Sequence, residues 1–209
     1  MPLLLHVISA AELTPYQHDK LTKLGLSIYS HAGLSALVTA CKVTDVAAAD
    51  RDSLLTYSQL IETTRAITDI IPMRYGTVMD DEKTLYQALS RNRERFSRKL
   101  QTISGCVEMS IRLSLNPATI PSTALSGQAY LQTKQQNLCN SQVVIKQITD
   151  SVAGYYVDSK ADYAVSSGLL RVYFLVKNAE LEQFQQAVRS LQLPQLFISG
   201  PWAAYSFVN

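Results

Sequence analysis

The sequence predicts an α+β protein built as two two-layer, α/β-sandwich-like domains. Three observations carry that reading. Val107, Met109, Ile111, Leu113 and Leu115 alternate with Glu108, Ser110, Arg112 and Ser114, which is the period of a half-buried strand. Leu85, Leu89, Phe96, Leu100 and Ile103 share one face at 100° per residue, with Arg91, Arg95, Arg98 and Lys99 opposite, as in a helix laid on a core. Between the two halves, NPATIPSTALSG carries Pro117, Pro121 and Gly127, the punctuation of a linker. The expected domains are therefore residues 1–118 and 119–209.

The first apolar run, Leu3 to Ile8, and the run from Gly33 to Cys41 are short and bounded by polar residues or glycine, so both read as strands. The stretch between them has no decisive period. Asp50 opens a helix that runs to about Ile67, with Leu54 and Ile61, and Leu60 and Ile67, at seven-residue intervals. Ile70, Ile71 and Pro72 begin a short strand in which Gly76 permits a bend, and Asp80 or Asp81 caps the amphipathic helix that follows. Gly105 stops that helix before the alternating strand.

The second half opens with a long helix marked by Leu131, Leu138, Ile145, Ile148 and Val152, ending near Gly154. Val157 to Val165 and Leu170 to Val176 alternate about Ser166, Ser167 and Gly168 and form a hairpin. Leu181, Phe184, Val188 and Leu191 define a further amphipathic helix that Pro194 ends, and Leu196 to Ile198 make another strand. One-sided antiparallel strands mixed with helices give two-layer domains, the N-terminal one resembling a modified ferredoxin-like fold. No internal repeat is visible.

The composition narrows function by exclusion. With 209 residues, 47% apolar and 17% charged, the chain is globular, and its net charge of +2 does not mark a nucleic-acid surface. Cys41, Cys106 and Cys139 are odd in number and widely spaced, which suits reduced thiols in a cytoplasmic protein. The opening MPLLLHVISAAEL lacks a basic segment and a long apolar run, and no stretch is long enough to span a membrane, so neither export nor a membrane span is expected.

Chemical motifs are equally sparse. His6, His18 and His31 lack metal-ligand spacing, no nucleophile elbow appears, and the glycines form no phosphate loop. Asp80, Asp81 and Glu82 sit where acidic residues favour a helix N-terminus. The sequence thus predicts no catalytic residue, metal, cofactor or small-molecule substrate. The candidate contacts are the basic stripe of Arg91, Arg95 and Arg98 and the closing aromatics Trp202, Tyr205 and Phe207. Each of those rings has roughly 150–250 Å² to bury, so they dock on this chain after a Gly200–Pro201 turn or on a partner.

Three blocks, IPMRYGTVMDDEKTLYQAL at 71–89, GCVEMSIRL at 105–113 and SGPWAAYSFV at 199–208, with GQAYLQTK at 127–134, resemble the GvpF/GvpL gas vesicle family in order and spacing. The family commonly has Phe where Tyr75 stands, Arg where Gln128 stands, and two prolines where Ala203 and Ala204 stand. The resemblance implies a non-enzymatic, chaperone-like protein, cytoplasmic and associated with the gas vesicle. Its implied partners are the small hydrophobic gas vesicle shell protein and other gas vesicle accessory proteins; the alternative is a minor structural component retained on the wall. Pro72, Arg74, Gly76 and Thr77 are the matched residues expected to be structural, as are Gly200 and Pro201, with Arg74 placed to pair with Glu108 or the tail.

Overall fold

The computed structural model describes residues 1–10, 12–115, 127–164 and 167–208, with 127–130 and 133 described by backbone alone. The expected linker at 116–126 and the hairpin residues Val165 and Ser166 lie outside the described residues. The chain forms two compact units, Met1–Gly105 with Trp202–Asn209, and Cys106–Pro201.

In the first unit the order is β1 (Leu3–Ala10), α1 (Pro15–Lys23), β2 (Ser27–His31), β3 (Leu34–Ala40), α2 (Val43–Ala47), α3 (Arg51–Arg65), β4 (Ile71–Pro72), β5 (Val78–Met79), α4 (Glu82–Arg91) and α5 (Arg93–Ile103). Its sheet runs β2-β3-β1-β4, with β5 also on β1, and every pair is antiparallel. This split β-α-β-β-α-β order is the ferredoxin-like arrangement.

The stretch that had no decisive period contains α1 and β2. Thr14 caps α1 by accepting from the Gln17 backbone N–H at 3.3 Å, while the Gln17 side chain accepts from the Thr14 N–H at 2.9 Å, and Pro15 presets the first turn. Ala32 (φ 55°) and Gly33 (φ 79°) then form a two-residue turn with both residues left-handed, joining β2 to β3. The single helix expected over 80–103 is two, divided at Asn92 (φ −105°, ψ 11°), whose side-chain amide donates to the Ala88 carbonyl at 2.9 Å. An Asn that satisfies a last-turn carbonyl through its side chain competes with the continuing ladder.

β1 is buried from Leu3 to Ser9 because helices cover both faces of the sheet. Val7 and Leu37 pack with Leu21 of α1 and with Tyr57 and Ile61 of α3. Leu5 and Ile8 face the other way, toward Leu85 and Leu89 of α4. The alternation is interrupted at His6: Leu5 pairs with Val38 and Val7 with Leu37, leaving His6 as the extra residue of a β-bulge. The layer of α4 and α5 is the modification added to the two-layer frame.

The second unit has β6 (Cys106–Ser114), α6 (Gly127–Ser151), β7 (Asp158–Ala164), β8 (Leu169–Lys177), α7 (Leu181–Arg189, after a single 3-10 turn at Asn178–Glu180) and β9 (Leu196–Trp202). Its sheet runs β7-β8-β6-β9, the same order of first, second, third and fourth strands as in the first unit. Met109, Ile111, Val172, Phe174 and the helix residues Ile148 and Phe184 form a core on one face. Phe174 lies 5.1 Å from Tyr156 and 5.2 Å from Phe184, centroid to centroid. At Gly200 (φ 117°) an added Cβ would stand 2.7 Å from the Glu108 carbonyl oxygen, so only glycine fits.

The units differ from the expected division at 118/119 in two ways. β6, placed by the sequence at the end of the first half, is a central strand of the second sheet, pairing with β8 from Cys106↔Lys177 to Ser114↔Leu169. The C-terminal residues, with α8 (Tyr205–Val208), belong to the first unit: the Ala203 N–H donates to Glu62 Oε1 at 2.9 Å, and Lys99 Nζ donates to the Val208 carbonyl. Alternation reveals which face of a strand is buried, not which sheet it joins.

Candidate functional site

The site follows from how the added helical layer meets the sheet. β4 and β5 each offer only two paired residues on β1, and the turn between them is held by Thr77 donating from N (3.2 Å) and Oγ1 (2.8 Å) to the Arg74 carbonyl. Gly76, at φ 88°, supplies the left-handed residue; its missing Cβ would meet only Val46 at 3.9 Å, so conformation and not space requires glycine. This short, turn-broken edge leaves a cavity of about 410 Å³ within the first unit.

The cavity floor is apolar, formed by Leu5 and Ile8 of β1, Ile71 of β4, and Leu85 and Leu89 of α4. Met73, Met79 and Phe96 line it further, and Val208 of α8, itself buried, contributes the tail's share of the wall. The polar part consists of Arg74 and Thr77 from the β4–β5 turn with Asn92 and Arg95 from the helical layer. Arg74 and Arg95 are exposed, and among the described residues neither guanidinium forms an ion pair or hydrogen bond. An apolar cleft of this size with a few convergent polar groups is the usual form of a binding site.

The expected residues separate in space. Pro72, Arg74, Thr77 and Arg95 line the cavity. Arg91 lies instead on a shallow depression with His31, whose Nε2 is 2.8 Å from Ser90 Oγ. Arg98 is exposed and its Nε donates to the Glu94 carbonyl at 3.3 Å. The stripe therefore does not converge on one partner position; Arg95 alone reaches the cavity. Arg74 pairs with no described tail residue.

The tail docks on this chain through small residues. Ala203 and Ala204 are buried, as is Val208, whereas Trp202 is 44% exposed. Tyr205 and Phe207 are half-buried, Tyr205 packing on the first-unit core. Of the two anchors, Glu62 carries no local signal in the sequence, and Lys99 stands out there only as part of the basic helix face, not as a tail contact. Glu62 also pairs with Arg65 at 2.7 Å, so one carboxylate serves a helix cation and the tail amide.

Electrostatics elsewhere are structural. Asp81 accepts from the Thr84 N–H at 2.7 Å as the N-cap of α4, and that hydrogen bond holds its carboxyl below the usual range. On the opposite face of the first sheet, burial pushes His6 down to about 4, so it is neutral at physiological pH. Its Nε2 lies 2.9 Å from Thr39 Oγ1, while Nδ1 has no partner among the described residues. Tyr57, 5.2 Å from the His6 ring, donates to the Met73 carbonyl at 2.9 Å, and burial raises its phenol above the ordinary value. Among the described residues no group of three His, Cys, Asp or Glu side chains is placed to hold a metal ion, and no helix is long and apolar enough to cross a membrane.

Two ferredoxin-like units, one carrying an apolar cavity beneath an arginine rim, define a two-domain α+β protein. The family described as Gas vesicle synthesis protein GvpL/GvpF matches residues 8–209, and the chain belongs to that family. Its fold is similar to the crystal structure of gas vesicle protein GvpF from Anabaena sp. PCC7120, with a TM-score of 0.76 at 15% identity, covering 100% of this chain and 96% of that one. It is likewise similar to GvpF from Microcystis aeruginosa, with a TM-score of 0.77 at 18% identity, covering 100% of this chain and 99% of that one. Among the curated proteins none matches.

Proposed function

We propose that this chain is a non-enzymatic accessory protein of gas vesicle formation. It binds the small hydrophobic shell protein and other accessory proteins in the cytoplasm and presents the shell protein to the growing vesicle. Family membership supplies the gas vesicle role. The apolar cavity of the first unit, with Arg74 and Arg95 at its rim, is the observation that supports a binding role. A shell subunit with exposed apolar side chains aggregates because water drives such surface together, and a preformed apolar seat removes part of it from water.

Co-expression tests this. With the chain present, the shell protein is expected to remain soluble and to co-purify with it. Identical aggregation of the shell protein with and without the chain, and no co-purification, would overturn the reading.

A further inference from the structure

The cavity has two chemically distinct parts that belong to different elements and meet only in the folded unit. Its floor is aliphatic and aromatic, and its rim holds two guanidinium groups that no described carboxylate neutralises. Exposed arginines standing alone at a solvated helix face need no explanation. Two from separate elements, Arg74 on a turn and Arg95 on α5, lining one apolar cavity are a different matter, because guanidinium forks match a carboxylate and gain strength beside apolar surface.

Val208 of α8 illustrates what this wall accepts. Val208 puts a buried side chain into the cavity lining while its main-chain oxygen is taken by the Lys99 ammonium. An apolar side chain next to an oxygen held by a basic helix residue is thus already realised at one end of the cavity. The remaining space, about 410 Å³, is of the order that accommodates further side chains, and the arginines offer the matching cationic hold.

We infer that this cavity seats a segment of a partner protein in which apolar side chains are followed by a carboxylate, the side chains entering the cavity and the carboxylate held by Arg74 and Arg95. This deepens the proposed binding role and rests on it for the identity of the partner, though not for the chemistry of the segment. The chain's four methionines provide a readout, since Met73 and Met79 line the cavity while Met109 is buried in the core of the second unit.

The test is a titration of methyl-labelled full-length protein with a capped hexapeptide containing two leucines followed by a glutamate. In parallel arms, the same peptide carries glutamine in place of glutamate, and sodium laurate serves as a non-peptide carboxylate. The Met73 and Met79 methyl signals are expected to move saturably with the glutamate peptide and Met109 to stay. The glutamine peptide should bind at least tenfold more weakly. Arg74→Gln with Arg95→Gln, both exposed and so compatible with folding, should weaken the glutamate peptide by a similar factor and make the two peptides equivalent. No movement, equal binding of the two peptides by the unaltered protein, or movement with laurate alone overturns the inference. Undiminished co-purification of the shell protein by the double variant overturns it too while leaving the proposed function standing. Loss of shell-protein binding by the unaltered protein, with the peptide results intact, rejects the proposed function and keeps the site.

Discussion

β1 and β6 hold the same place in their sheets, each flanked by the third and fourth strands of its unit, yet their sequences are unlike. LLLHVISA is apolar at nearly every position and buried from Leu3 to Ser9, whereas CVEMSIRLS alternates and leaves Arg112 and Ser114 exposed. A strand covered on both sides reads as a continuous apolar run, and one covered on one side alternates. The same topology thus carries three layers in the first unit and two in the second. On the second sheet's polar face Arg112 stands over the ring of Phe197 at 5.2 Å, and Arg171 lies 3.5 Å from Asp162, contacts suited to a wet surface. The cavity belongs to the unit with the extra layer, at the edge where β4 and β5 are too short to support it.

The comparison breaks most visibly if the outer faces are exchanged chemically. Ile8→Lys places a charge beneath the α4 layer and should cost more than about 3 kcal/mol, unfolding the first unit in urea well before the second, because no carboxylate lines that side to pair with it. Ser114→Lys, at an exposed position on the polar face of the second sheet, should change stability by only about 0.5 kcal/mol. Similar urea midpoints for the two variants would refute the difference in layering.

A smaller effect separates the units by pH. His6 is buried on a bulge that β6 lacks in its pairing with β8, and its folded pKa, about 4, lies below the unfolded value of 6.5. The unfolded chain therefore takes the proton first. The stability from neutral His6 is complete above pH 6.5 and is lost as pH falls toward 4, by about 3 kcal/mol in full. His6→Leu should reduce the loss between pH 7 and 4.5 by most of that amount; an unchanged pH dependence of the urea midpoint would show that His6 is not the group responsible.

The smallest effect concerns the tail, which the first unit has and the second does not. Glu62→Ala removes the acceptor of the Ala203 N–H and should cost about 1.5 kcal/mol while increasing amide exchange at Ala203 and neighbouring residues. Unaltered exchange there would mean that the small buried residues alone hold the tail.

Much of the fold is legible along the chain. The strands at 3–10, 34–40 and 106–114, the helix opened by Asp50 and the hairpin about Gly168 follow from period and punctuation, and the ferredoxin-like order was expected for the first unit. The helix α1 was legible in principle: TPYQ is a capping box with proline at the first position, though the polar face of α1 gives little period beyond Leu21. That the second unit repeats the ferredoxin-like order was not legible, because topology repeated without repeated residues leaves no period to detect. The site was half legible. Pro72, Arg74, Thr77 and Arg95 were singled out, but as a structural block and a helix stripe rather than as walls of one cavity.

The chain by itself determined most of its elements, the buried faces of its strands and of α4, α5 and α7, and its family, since period, caps and turn residues act over a few positions and the matched blocks are contiguous. Leu54, Leu131 and Leu138, which share the apolar spacing of α3 and α6, are exposed. Tertiary structure alone decided that β6 serves the second sheet, that Ala203 and Val208 return to Glu62 and Lys99, and that Arg74 and Arg95 share a cavity. Those contacts join residues far apart in sequence, and their energy comes from packing and hydrogen bonds that exist only once the intervening chain has folded.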